Sequence, residues 1–112
     1  MRWPLWRVAV AERSMEPALR PGDWLLVWRG FRPGRPPRIR PDQIVIAQHP
    51  SRADLLLVKR AVEEQPDGWW LASDNTAAAA VDSRSFGHVP VRLIRGRVLL
   101  RYRRGDRAPE TR

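Results

Sequence analysis

Apolar residues gather in short runs along the chain, and each run is closed by proline, glycine or a cluster of charges. That spacing predicts strands joined by turns. Residues 6–11 read as a first strand. Residues 14–19 form a tight segment in which Pro17 stops any extended continuation, and Pro21-Gly22-Asp23 is a turn by composition. The apolar run Trp24–Trp28 is the next strand, and residues 29–41, rich in Arg, Pro and Gly, read as an exposed loop. Residues 43–47 and 55–62 follow as strands on either side of the turn His49-Pro50-Ser51. Pro66-Asp67-Gly68 predicts a hairpin that brings residues 69–72 back against the strand before it.

The remainder is less regular. The four alanines 77–80 suit one helical turn, too short to stand as a helix alone. Residues 89–102 carry two strand-like segments with a break expected near Arg95-Gly96. Residues 105–112 are polar and read as a frayed tail. There is no internal repeat and no sign of a boundary. The expected organisation is therefore one mainly β domain over residues 1–104, built as a coiled, folded-over sheet of short strands.

Composition narrows the function classes. The 112 residues fit one domain, and 43% of them are hydrophobic, enough for a core. The absence of cysteine removes disulfides, thiolate nucleophiles and Cys-based metal sites together. His49 and His88 are isolated in sequence, so neither a metal nor another cofactor is expected. No apolar run approaches the roughly 20 residues that span a bilayer. The N-terminal segment is too short and interrupted for a signal peptide, and the expected location is cytoplasmic. Arg2, Trp3, Trp6 and Arg7 could make a peripheral membrane contact; an ordinary first strand with exposed arginines is the plainer reading. The formal net charge of +9 favours acidic partners. Its arginines are spread along the whole chain, however, and no nucleic-acid-binding signature is present, so no nucleic acid is expected as partner. A basic β-domain that binds nucleic acid is kept as the non-enzymatic alternative.

One residue stands out against this background. Of the 21 basic side chains only Lys59 is lysine; the other 20 are arginine. A lysine amine can lose its proton when buried, whereas a guanidinium effectively never does. Lys59 follows four apolar residues, which suggests a strand covered on both faces, and alternation puts Leu57, Lys59 and Ala61 on one side. Desolvation there would favour the neutral amine. The competing reading is a lysine that snorkels from a strand end.

Three blocks then decide between these readings. The run from Ser14 through Met15-Glu16-Pro17 to Leu19, followed by Gly22-Asp23, resembles the nucleophile segment of the type I signal peptidases. Val58-Lys59-Arg60-Ala61-Val62 is similar to their general-base strand. Asp74-Asn75 and then Asp82-Ser83-Arg84 resemble their late acidic motif. The blocks stand in the order of that family and cover most of the chain. The likeness implies a signal peptidase/LexA-type catalytic domain with a Ser/Lys dyad. Within that group the short members that mature nickel-type superoxide dismutase are the most similar, through their Arg-, Pro- and Trp-rich composition and the Trp-Leu-Leu-Val segment. The implied substrate is then the propeptide of the nickel superoxide dismutase precursor, whose removal exposes a nickel-binding N-terminus. A general signal peptidase is the alternative. Kinship with self-cleaving repressors is expected to need a DNA-binding module, for which the residues before Ser14 are too few.

The resemblance also implies roles. Ser14 would attack, Lys59 would accept its proton, and the Ser14 N–H would help hold the oxyanion. A hydroxyl common two residues earlier is replaced by Glu12, and the serine that often precedes the Asp-Ser-Arg block is replaced by Ala77–Ala80 and Val81. Orientation of Lys59 is therefore expected from Ser83, a backbone carbonyl or water. Ser73 stands where a glycine is common. Val10, Met15, Leu57 and Val58 match positions near the specificity pockets, with plain core as the competing reading. Asp74, Asp82 and Arg84 read as structural charges, Asp74 with Arg60, and Asp23 as a turn anchor.

Overall fold

The computed structural model describes residues 4–32, 35, 37–77 and 81–104. Seven strands form one antiparallel sheet: β1 (Leu5–Ala9), β2 (Trp24–Trp28), β3 (Ile44–His49), β4 (Arg52–Gln65), β5 (Gly68–Ala72), β6 (Val89–Pro90) and β7 (Ile94–Arg103). They lie in the order β1-β2-β7-β3-β4-β5-β6. Among the described residues helical structure is confined to a single turn, α1 (Ser83–Phe86), and a 3-10 turn at Val91–Leu93. The fold is mainly β. Among the described residues no helix is long and apolar enough to cross a membrane.

The sheet has two apolar faces and two cores. Val45, Ala47, Ala61, Trp69, Leu71, Val89, Leu93 and Ile94 make one. Val10, Met15, Leu19, Leu25, Val27 and Ile46 make the other. Alternation in β3 explains the division: Val45 and Ala47 point one way, Ile46 the other, and all three are fully buried. β3 is thus the wall between the cores.

Several expected boundaries shift. β4 runs longer than residues 55–62, because the β4–β5 hairpin pairs it as far as Gln65, opposite Gly68. A side chain at Gly68 would lie against the Val89 carbonyl, so only glycine lets β5 and β6 approach this closely. The break expected at Arg95-Gly96 falls instead at Val91–Leu93, where the Val91 N–H donates to the Asp67 carbonyl at 2.9 Å. Gly96 lies inside β7; a Cβ there would meet the Trp28 carbonyl oxygen at 2.8 Å, so this glycine serves a close strand contact and not a turn. The apolar run 55–58 is not covered on both faces, since Leu56 is 44% exposed. The helical turn expected over residues 77–80 lies, apart from Ala77, outside those described, as do Arg2, Trp3 and the polar segment 105–112.

Candidate active site

Ser14 lies in the loop between β1 and β2. The Val10 N–H donates to the Asp23 carbonyl at 2.8 Å and the Gly22 N–H returns to the Val10 carbonyl at 2.7 Å, which closes the base of the loop. Gly22 takes φ of 92°, a left-handed conformation that glycine adopts without strain. Asp23 is buried and its carboxylate accepts the Arg20 N–H at 2.9 Å, so it anchors this turn. Met15 plugs into the second core with 1% of its surface exposed and fixes the orientation of its neighbour Ser14. Asn75 holds the loop from outside: its N–H donates to the Ser14 carbonyl at 2.8 Å and its side-chain amide to the Arg13 carbonyl at 3.1 Å. Among the described residues the Ser14 N–H meets no acceptor.

Lys59 projects from β4, opposite Val45 of β3. Leu57, Lys59 and Ala61 are all buried, one face of an alternating strand, and Lys59 is only 3% exposed. Its Nζ lies 2.8 Å from Ser14 Oγ and 3.1 Å from Ser73 Oγ. Burial lowers the Lys59 pKa from its ordinary 10.5; the charges of Asp82 and Glu12 oppose that shift, and Arg84 adds to it. Among the described residues no carboxylate touches the amine directly.

Ser73, which stands where a glycine is common, occupies the position expected for Ser83. Ser83 is elsewhere: its Oγ accepts the Leu71 N–H at 2.8 Å. The Ser73 N–H in turn donates to Asp82 Oδ2 at 2.9 Å. Leu71 lies near the end of β5 and Ser73 directly follows that strand; as alternate residues of one extended segment they send their N–H groups to the same side, toward Ser83 and Asp82. Asp82 and Ser83 satisfy that edge where no further strand does. Asp82 also caps α1 through the Arg84 N–H at 3.0 Å and pairs with the Arg84 guanidinium at 3.2 Å. Burial alone would push the Asp82 carboxyl up; these donors outweigh it and hold the group below its ordinary value. Arg60 grips both oxygens of Asp74, at 2.9 and 2.6 Å, and this contact raises its own pKa. Arg60 and Asp74 stand beside the pair without touching it.

A cleft of about 480 Å³ opens on this pair. One wall runs through residues 8–12 and the other through residues 55–59, with Val10, Met15, Leu57 and Val58 all among the lining residues, together with Arg52 and Val81. Val10 and Met15 serve the core and the cleft together. Consecutive residues on each wall mean that backbone as well as side chains faces the opening. The topology explains this. β1 is the edge of the sheet, and β5 pairs only with residues 60–65 of β4, so the first half of β4 has a free side. β1 and β4 are separated by three strands in the sheet order yet face each other across one cleft, which requires the sheet to curl back on itself. Among the described residues no group of three or more His, Asp or Glu is placed to hold a metal ion.

Sequence reasoning noted Ser73 and Asn75 beside the late motif but did not place Ser73 on Lys59 or Asn75 on the Ser14 loop. Ser73 carried a signal in its departure from glycine; the role of Asn75 depends on a contact across 61 residues, which no local pattern records.

Compared with known families, residues 5–98 match the family described as Peptidase S24-like. A search of curated proteins found no match.

Proposed function

Because the chain belongs to the Peptidase S24-like family, we propose that it is a serine endopeptidase in which Ser14 is the nucleophile and Lys59 the general base. The observation that carries this reading is the 2.8 Å contact between Lys59 Nζ and Ser14 Oγ, in a buried site that favours the neutral amine and opens on a cleft. A hydroxyl is a weak nucleophile until a base takes its proton. Lys59 removes the proton as Ser14 Oγ adds to the scissile carbonyl, then delivers it to the leaving amine. It next takes a proton from water, which attacks the acyl-enzyme carbonyl, and returns that proton to Ser14 Oγ as the acyl–oxygen bond breaks, so that both side chains are restored. The Ser14 N–H is the donor available to the oxyanion. Ser73 accepts one N–H of the amine and so turns the nitrogen lone pair toward Ser14.

The substrate enters as an extended strand between the free side of β4 and the edge of β1, with main-chain hydrogen bonds for affinity and alternate side chains in pockets for choice. Val10, Met15, Leu57 and Val58 favour small apolar residues before the cut. As the particular substrate we propose the propeptide of a nickel superoxide dismutase precursor. This rests on the likeness of the three sequence blocks and on composition, independently of the cleft geometry.

Incubation of the purified protein with that precursor, followed by mass spectrometry, tests both levels. Release of the propeptide by the native chain, and none by Ser14→Ala or Lys59→Arg, is expected. Full cleavage by either variant would overturn the dyad. Cleavage of secretory precursors in place of this one would reassign the substrate and leave the dyad standing.

A further inference from the structure

The Arg- and Pro-rich loop before β3 contributes nothing to the lining of the cleft, yet it closes a second cavity of about 430 Å³. Residues 55–59 of β4 wall the cleft; Glu64, farther along the strand, walls this cavity. The floor is apolar. Trp69 and Ile94 belong to the first core, and Val91, 42% exposed, stands beside them. The loop forms the rim and is fixed to the sheet. Ile39 packs against the first core. The Arg40 N–H donates to Gln43 Oε1 at 2.9 Å, the Asp42 N–H to the Ala61 carbonyl at 2.7 Å, and the Arg60 guanidinium to the Asp42 carbonyl at 2.9 Å. Pro37 and Pro41 restrict the backbone on either side of Ile39. A cavity whose rim is held in this way is formed before any ligand arrives.

Charge indicates the occupant. Arg35, Arg38 and Arg40 line the cavity against one carboxylate, Glu64, and among the described residues none of the four forms an ion pair. Arg97 adds to the excess. Its Nη1 lies 3.5 Å from the Arg38 carbonyl, and its Nε is buried with no acceptor among the described residues. Arginines around an apolar floor suit carboxylates that flank an apolar side chain. We propose that this cavity binds an acidic peptide segment, with an apolar side chain on Trp69, Ile94 and Val91 and flanking aspartates or glutamates on Arg38 and Arg40. A single-stranded nucleic acid would need an exposed ring face for its bases, and Trp69 is only 4% exposed. β4 carries both openings, so on the peptidase reading the cavity holds a protein substrate at a point away from the cut.

The binding itself is independent of that reading, and its test needs no cleavage. A fluorescein-labelled peptide, Asp-Glu-Leu-Asp-Glu, is titrated with the full chain carrying Ser14→Ala and followed by anisotropy. Binding is expected to be about tenfold tighter than that of the neutral Ser-Gln-Leu-Ser-Gln, and to weaken as salt rises. Arg38→Glu with Arg40→Glu should weaken it about tenfold or more. Glu64→Gln removes the opposing charge and should strengthen it severalfold, a gain that no unfolded variant can give. Val91→Ser should narrow the preference for this peptide over Asp-Glu-Ser-Asp-Glu. Absence of binding would overturn the proposal, as would equal binding of the neutral peptide or indifference to both the arginine and the Glu64 changes. Displacement of the peptide by equimolar inorganic phosphate would assign the cavity to a free anion. Tight binding of single-stranded RNA through Arg38 and Arg40, with none of the peptide, would assign it to nucleic acid. Either result overturns the peptide assignment. Circular dichroism establishes that each variant is folded before it is scored.

Discussion

Asp82 accepts the backbone N–H of Ser73 at 2.9 Å, and through that bond a carboxylate nine residues along the chain fixes the hydroxyl that contacts Lys59. The late acidic motif therefore reaches the amine by way of the β5 terminus, with no direct contact of its own.

Asp82→Asn keeps the shape and removes the charge. It should cost about 1–3 kcal/mol of stability, the range for weakening hydrogen bonds to a buried ionised group. The folded-state pKa of Asp82 lies below the ordinary 3.8, so its contribution is complete above that value and is lost as pH falls through the folded value. Urea unfolding followed across the acid range should show this loss in the native chain and its absence in Asp82→Asn.

Cleavage should rise with pH along a limb set by Lys59, because only the neutral amine can accept the Ser14 proton. The limb should lie below the 10.5 of an ordinary lysine, as burial dictates. Glu12 opposes that shift, so Glu12→Gln should move the limb to lower pH. Profiles of kcat/KM against pH for the two proteins measure the displacement; an unmoved limb would show that Glu12 does not act on the base.

Ser73→Ala removes one acceptor from the amine. A hydrogen bond of this kind is worth about 0.5–1.5 kcal/mol, so kcat should fall roughly two- to twelvefold with KM little changed. Ser73→Thr keeps the hydroxyl and should restore most of the rate. Steady-state kinetics on one peptide substrate separate this positioning role from a purely structural one, which would move melting temperature more than kcat.

Lys59→Met should abolish cleavage and raise stability. The amine is buried with only hydroxyl partners, so its protonated form carries a desolvation cost that an apolar side chain of similar volume does not. The sign follows from the lowered folded pKa. Below that value both states carry the proton and the burial cost is complete; between it and 10.5 stability of the native chain rises with pH. The advantage of Lys59→Met should therefore shrink toward alkaline pH in thermal melts.

Much of the arrangement was readable from residue order. The strand cores 24–28, 43–47 and 69–72 follow from apolar runs between turn formers, and the singular lysine follows from what arginine cannot do. The extent of β4 was not readable, because its last residues pair through the hairpin and its first residues have no partner on one side. Leu55 and Leu56 read as core because a cleft wall and a core wall share the same composition. The substitution of Ser73 for Ser83 beside the lysine was hidden for a different reason. Both are serines near the same motif, and only the side on which the β5 N–H groups point decides that Ser83 is consumed by Leu71.

β3 contributes to both cores at once, Val45 and Ala47 to one and Ile46 to the other. Neither core can be dismantled while the other keeps its wall, so the two must melt as a single cooperative unit. Ser14 depends on one core through Met15, and Lys59 depends on the other through Val45 and Ala61. A heated sample should lose the catalytic pair and the fold in the same transition, with no partly unfolded species that still cuts and none that is folded but inert.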